Sequence, residues 1–342
     1  MEYKFRNLVF EGGGVKGIAY VGALEVLERE GILKNIERVA GTSAGAMVAV
    51  LVGLGYTADE LKEVLWNINF KNFMDSSWGI VRDTNRLLKD YGWYKGDFFR
   101  DLMAGYIKDK TGNGEITFGE LAKKKKFRDI SLIGSDLSTG YSKVFSAAYT
   151  PNVKVADAAR ISMSIPLFFS AVKGVNGDGH IYVDGGLLDN YSIKIFDRLS
   201  YVSEINNARR TDYYEKINKA MKKTRSLKTN EYVYNQETLG FRLDGKEEIA
   251  MYLDPDVEAK TTEIKSLFTY TKALVSTLID FQNNVHLHSD DWQRTVYIDT
   301  LGVSAIDFGL SDSKKTKLVE SGLNHTEAYL EWYNNDEEKA NK

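Results

Sequence analysis

The sequence predicts an α/β protein with parallel strands and helices on both faces of the sheet. Three observations carry this. Short apolar runs alternate with segments of helical spacing through the first third of the 342 residues. Glycine-rich turns lie where each strand would hand over to its helix. Thr-x-x-Glu signals recur at the heads of later helical segments. Strand–turn–helix units in series lay strands parallel and place helices over the sheet.

Asn7 to Phe10 is a short apolar strand, stopped by the glycines at Gly12, Gly13 and Gly14. From Lys16 to Glu30, Ile18, Val21, Leu24 and Leu27 fall on one helical face, and Gly31 ends the run. Glu37 to Ala40 reads as a second strand. Gly41-Thr42-Ser43-Ala44-Gly45 then turns into an apolar helix from Ala46 to Leu54. The capping box Thr57-Ala58-Asp59-Glu60 starts a helix to about Ile68. Thr117-Phe118-Gly119-Glu120 opens a short helix ending in Lys123 to Lys126, where cations suit a helix C-terminus. Ile130 to Ser135 and Ser142 to Phe145 read as strands, and Val155 to Ser162 as a helix closed before Pro166. Ile181 to Val183 is a strand running into Asp184-Gly185-Gly186. Residues 200 to about 260 are polar and Tyr-rich, with basic residues in excess from Arg209 to Lys228, and read as a partly mobile insertion. Thr262 to Val285 is expected as a long helix, Thr295 to Ile298 as a strand, and Lys314 to Trp332 as terminal helices. The expectation is one domain over 1–342, with its core at 5–195 and about 262–335 and an insertion at about 200–260.

Composition narrows the chemistry. With 45 basic and 48 acidic residues the net charge is -3, so no global field draws nucleic acid. Cysteine is absent, which excludes a disulfide framework, Cys-ligated zinc and a thiol nucleophile. Hydrophobic residues at 43% and charged residues at 27% exclude a disordered or fibrous chain. The apolar stretch Ala44 to Tyr56, 13 residues, is too short to span a bilayer. The opening Met-Glu-Tyr-Lys-Phe-Arg does not resemble a signal peptide, so a cytoplasmic location is expected.

Gly12-Gly13-Gly14-Val15-Lys16-Gly17 fits G-x-G-x-x-G between a strand and a helix, the dinucleotide fingerprint. Glu37 stands about 20 residues on, where a ribose-binding acid would sit. A P-loop fits worse, because Gly17 follows Lys16 where Ser or Thr is needed. Under every reading the loop exposes backbone N–H groups at a helix start, a nest for a pyrophosphate or an oxyanion. The second motif decides. Gly41-Thr42-Ser43-Ala44-Gly45 is G-x-S-x-G between a strand and an apolar helix, and its glycines remove Cβ atoms from a sharp turn with Ser43 at the apex.

A serine hydroxyl needs a base. The histidines are His180, His286, His288 and His325. His180 precedes its strand, which puts it at the end opposite to Asp184 and on the wrong side of a parallel sheet. Asp184 sits at the strand's C-terminal end, and a desolvated or serine-bonded carboxylate can take the proton itself. Asp-Gly-Gly is also ordinary turn chemistry. His286 and His288 with Asp290 and Asp291 look superficially like a metal pair, but no third ligand motif supports them, and they read as the polar end of a helix.

These blocks, in this order, resemble the patatin-like phospholipases. Leu8-Val9-Phe10 before the glycines, Ala23-Leu24, and Ala158-Ala159-Arg160 to Ser164-Ile165-Pro166 agree with the family in detail. The resemblance covers roughly residues 5 to 195. It implies a three-layer α/β/α sandwich with a mainly parallel central sheet. It implies Ser43 as nucleophile and Asp184 as general base, a dyad without histidine. Amides around Gly12, Gly13 and Gly14 would form the oxyanion hole, with Lys16, Gly17, Gly41, Gly45, Gly185 and Gly186 as supporting motif positions. The implied activity is hydrolysis of acyl esters of phospholipids or other acyl lipids, of phospholipase A or lysophospholipase type, with no metal and no organic cofactor.

Nine aromatics between Trp66 and Phe99 are compatible with a lid or membrane-contact surface, or with core packing. The basic run Arg209 to Lys228 would suit anionic headgroups, or simply a solvated face. Two other classes stand against the hydrolase: a catalytically silent or conditionally activated effector on the same fold and, more distantly, a dinucleotide-binding oxidoreductase.

Overall fold

The apolar runs and glycine stops become strands and turns in the order expected. The computed structural model describes residues 3–68, 89–175, 177–222, 231–245, 290–305 and 307–335, with Leu87 and scattered positions from 263 to 278. The elements are β1 (Asn7–Phe10), α1 (Tyr20–Arg29), β2 (Arg38–Thr42), α2 (Ala44–Gly53), α3 (Ala58–Asn67), β3 (Gly92–Tyr94), α4 (Asp97–Thr111), α5 (Phe118–Lys123), β4 (Asp129–Asp136), β5 (Tyr141–Ser146), α6 (Val155–Ser162), β6 (Leu167–Phe169), β7 (Val172–Lys173), β8 (Ile181–Asp184), β9 (Ala208–Arg209), α7 (Asp212–Lys222), β10 (Tyr234–Asn235), β11 (Thr238–Asp244), β12 (Thr295–Asp299) and α8 (Asp312–Asn334). Both predicted capping boxes form. The Thr57 and Thr117 hydroxyls accept from the amides of Glu60 and Glu120, whose carboxylates accept in return. The run from Lys16 divides, with a tight 3-10 segment over Gly14–Ala19 before α1 begins.

The central sheet runs β12-β11-β1-β2-β4-β8-β7, with β5 also on β4. Strands β12, β11, β1, β2 and β4 are parallel, whereas β5 and β8 pair antiparallel with β4 and β7 antiparallel with β8. Flanking helices complete a three-layer α/β/α sandwich. Alternation along β1 sorts the faces. Leu8 and Phe10 join the large core with α1, α2 and α8, while Val9 and Ala40 turn against Tyr191, Ile193 and Phe196. Helix α2 is buried along its whole length, as its apolar sequence requires.

The pairing of β4 positions the site. Strand β4 is paired along one edge by β5 over Ser131 to Asp136. Its other edge is shared: β2 takes Asp129 to Ile133 in parallel, and β8 takes Gly134 to Asp136 antiparallel. The C-terminal ends of β2 and β8 therefore meet head to head between Ile133 and Gly134.

Two expectations need correction. His180 is not on the far side of the sheet. Because β8 is antiparallel to β4, His180 lies beyond the C-terminal end of β4, where its Nδ1 is 2.7 Å from Asp136 Oδ2. It stays four residues from Asp184, roughly 13 Å at about 3.3 Å per strand residue. The polar segment from 200 to 260 is not wholly an insertion either. It contains β11, seven buried residues paired with β1 on one side and β12 on the other. The strand reads as polar because Arg242 and Asp244 are buried charges that pair with each other at 2.8 Å. Residues 223–230 and 246–262, and most of the helix expected from Thr262 to Val285, lie outside the described residues.

The described part of that segment is tied to the sheet by a buried charge knot. Arg294 at the head of β12 binds Asp197 at 2.6 and 2.7 Å and Asp291 at 2.6 Å, and the Tyr214 hydroxyl donates to Asp197. Removing the cation would leave Asp197 without its ion pair and Asp291 with Lys194 at 3.3 Å in its place. Arg294→Met is expected to lower unfolding stability by roughly 3–5 kcal/mol, read by urea denaturation. A change below about 0.5 kcal/mol, the size of an ordinary surface substitution, would contradict this.

Candidate active site

Ser43 follows β2 and caps the start of α2. Its backbone has φ 52° and ψ -124°, a strained conformation for a side-chain-bearing residue. The turn that imposes it is too tight for side chains: a Cβ at Gly41 would fall 2.1 Å from the Gly45 carbonyl oxygen. A Cβ at Gly45 would fall 2.3 Å from the Phe10 carbonyl oxygen. The Ser43 amide donates to Ser162 Oγ at 2.9 Å, and Ser162 in turn donates to the Ile133 carbonyl at 2.6 Å. The elbow is thus held by α6 as well as by its own strand.

The head-to-head meeting of β2 and β8 brings Asp184 to this serine. Ser43 Oγ donates to Asp184 Oδ2 at 2.8 Å. The other carboxylate oxygen accepts the Gly186 amide at 2.8 Å, and the Asp184 amide donates to the Ser164 carbonyl at 2.9 Å. Gly185 lets the chain turn away beneath β4, since a Cβ there would lie 2.4 Å from the Ile133 carbonyl oxygen. Both residues are buried, Ser43 at 6% and Asp184 at 3% exposed, so the pair is shielded from solvent screening. Burial pushes the Asp184 carboxyl up to about 7, against the opposing hydrogen bonds from Gly186 and Ser43.

The glycine loop lies above this pair. Gly14 takes φ +55°, and the Val15 amide donates to the Ala305 carbonyl at 2.9 Å. The Gly12 amide donates to the Asn190 carbonyl at 3.1 Å, so Gly12 is not available as an oxyanion donor, contrary to expectation. Gly12 matters for space, because a Cβ there would come 3.0 Å from Ser43 Cβ. The Gly13 and Gly14 amides remain, with the N-terminus of α2 adding positive potential. Lys16 Nζ reaches back to the Leu243 carbonyl at 3.2 Å, and Gly17 lets the 3-10 segment approach Ala44.

Under the loop sits Glu11, fully buried, which accepts the Leu243 amide at 2.7 Å and the Asn190 amide group at 3.2 Å. Burial pushes its carboxyl up to about 7, opposed by the Arg242 guanidinium. Ser162, Asn190, Glu11 and Arg242 went unrecognised from sequence. The one available signal was the position of Asn190, six residues after Asp184 in the same turn.

Other sequence candidates fall elsewhere. Glu37 precedes β2, at the end of the sheet opposite the glycine loop, so it cannot serve a dinucleotide there. Asp291 is taken by Arg294 and by Lys194 at 3.3 Å, and His286 and His288 lie outside the described residues. No group of three potential ligands occurs among the described residues. Of the aromatic segment, Phe99 is buried, Tyr91 and Phe98 are exposed, and residues 69–86 lie outside the described residues. In the basic run, Arg209 pairs with Asp290 and Arg210 with Glu231. No helix among the described residues is long and apolar enough to cross a membrane.

Comparison with known proteins follows the same boundaries. A family model described as patatin-like phospholipase matches residues 8–197. The uncharacterized protein YqhO of Bacillus subtilis (strain 168) is 31% identical over 338 residues, spanning 94% of this chain and 97% of that protein. A cUMP-AMP-activated phospholipase of Escherichia coli is 26% identical over 196 residues, covering 54% of this chain and 55% of its own length. The crystal structure of VipD from Legionella pneumophila has the same fold, with a TM-score of 0.57 at 17% identity over 96% of this chain and 67% of that one.

The raised Asp184 carboxyl has a thermodynamic consequence. Its folded form favours the proton more than the unfolded chain does, so the stability it contributes is lost as pH rises through about 7. Asp184→Asn removes that cost. The variant is expected to melt above the wild type at pH 8.5, by up to roughly 4 kcal/mol of stability. The gap should close below pH 4. Equal melting at both pH values would show that Asp184 is not desolvated.

Proposed function

Because the chain belongs to the patatin-like phospholipase family, we propose that it is a lipid acyl hydrolase working through a Ser43–Asp184 dyad. The observation that carries this reading is the 2.8 Å hydrogen bond from Ser43 Oγ to Asp184 Oδ2 at a buried, strained strand-to-helix turn. Phospholipid or lysophospholipid is the substrate class, met at a membrane surface.

Ser43 Oγ attacks the ester carbonyl as its proton passes to Asp184 Oδ2. A desolvated carboxyl is a competent acceptor, because burial favours its neutral form. The carbonyl oxygen gains the negative charge and is met by the Gly13 and Gly14 amides and the N-terminus of α2. Collapse of the tetrahedral species breaks the bond to the alcohol, which takes the proton back from Asp184. Water then attacks the acyl-enzyme, giving a proton to Asp184; collapse breaks the acyl bond to Ser43 Oγ, which takes that proton back as the fatty acid departs. Side chains and backbone suffice for every step.

Free fatty acid release from phospholipid and lysophospholipid vesicles is the test. Wild type is expected to release it and Ser43→Ala to fall to background. Release by both would remove Ser43 from the reaction. Release by neither would favour the silent or conditionally activated alternative. With a neutral ester, kcat/KM is expected to rise with pH through an apparent pKa of about 7 to a plateau, because Asp184 must be ionised to accept the proton. A flat profile from pH 5.5 to 8.5 would remove Asp184 as the base.

A further inference from the structure

Three separate segments build the site: the glycine loop after β1, the elbow after β2 and the turn after β8. The Ser43–Asp184 bond joins the second to the third. The first must be held in register with them, because amide donors act on an oxyanion only at close hydrogen-bond distance.

We propose that Asn190 is the positioning residue that sets the Gly13 and Gly14 amides relative to Ser43 and Asp184. The inference rests on the hydrolase reading above and adds to it a residue that does not touch the substrate. Asn190 is 3% exposed and brackets the Gly12 peptide from both sides. Its carbonyl accepts the Gly12 amide at 3.1 Å, and its Nδ2 donates to the Gly12 carbonyl at 3.2 Å. The same Nδ2 donates to Glu11 Oε1 at 3.2 Å, while Glu11 Oε2 accepts the Leu243 amide at 2.7 Å. The loop is thereby tied to β11 on one side and to Asn190 on the other. The two groups that Nδ2 bonds among the described residues are both acceptors, and an NH2 can serve both at once.

The other end of the bracket belongs to the base. Asn190 follows Asp184 through the Gly185–Leu187 turn, closed by the Leu188 and Asp189 amides on the Gly185 carbonyl. Thr42, next to Ser43, donates from Oγ1 to the Asp189 carbonyl at 3.1 Å. The two flanking glycines make room for the amide oxygen of Asn190. A Cβ at Gly12 would lie 2.3 Å from Asn190 Oδ1, and one at Gly186 would lie 2.9 Å from it. The turn that carries Asp184, and that Thr42 holds through Asp189, thus reaches the glycine loop through Asn190.

The test uses the full chain with p-nitrophenyl butyrate and its thionoester. Sulfur is larger and a weak acceptor, so aligned oxyanion donors favour the oxygen ester strongly. For Asn190→Ala, kcat on the oxygen ester is expected to fall roughly 30- to 300-fold, near the loss of one oxyanion donor, with KM within about threefold. The oxygen-to-sulfur rate ratio is expected to fall at least about tenfold, a change that a merely structural role would not produce. Glu11→Gln is the second variant. It keeps the shape but turns an NH2 toward a donor, and about a tenfold loss of kcat is expected. An active wild type with Asn190→Ala unchanged in kcat, altered in KM alone, or unaltered in its oxygen-to-sulfur ratio would overturn the proposal. So would both variants being unfolded at 15 °C, which would assign Asn190 to folding. A wild type that neither cleaves the ester nor reacts with a fluorophosphonate would end the hydrolase reading and this inference with it.

Discussion

The site depends on one edge of one strand. Strand β4 is long enough for β2 to pair with its first part and β8 with its last, and the two run toward each other. Where they meet, neither can continue. Each chain must turn out of the sheet plane at the same level, and each places a functional side chain at that point. The short Ser43–Asp184 contact is therefore a product of sheet pairing and needs no long loop to assemble it. Gly41, Gly45 and Gly185 are the local price of so tight a junction, since a Cβ at any of them would collide with neighbouring backbone.

Buried charge is handled in two opposite ways in this molecule. Away from the serine, carboxylates are compensated by cations. Asp197 and Asp291 share Arg294, and Asp244 pairs with Arg242. Those arrangements give each acid a cationic partner and lock elements together. At the serine, Asp184 has a hydroxyl and an amide as partners, neither of them cationic. A lone buried carboxylate is costly when ionised, and that cost makes it a willing proton acceptor near neutrality. Stability given up at Asp184 and basicity gained there are the same physical quantity.

Much of the arrangement was legible in the linear chain. The glycine loop, the G-x-S-x-G turn, both capping boxes and Asp184 at a strand's end stood where the residues indicated. Each is encoded within a few consecutive residues, because a sharp turn or a helix start is a local steric and hydrogen-bonding problem. Two misreadings share a different cause. Strand β11 looked polar because its charges are neutralised by pairing in the core, which hydropathy cannot register. The orientation of β8 was invisible because three or four extended residues carry no mark of the direction in which a neighbour will run.

The sequence by itself determined the fold class, the order of the motifs and the candidate pair, since these follow from local turns and from apolar periodicity. Only the tertiary structure decided that β8 meets β2 head to head, that the Gly12 amide is already taken, and that Asn190, Glu11 and Ser162 surround the site. Those facts depend on contacts between residues far apart in the chain, as far as the 232 positions from Glu11 to Leu243. Such contacts are set by how the sheet is assembled, and no short stretch of the chain contains them.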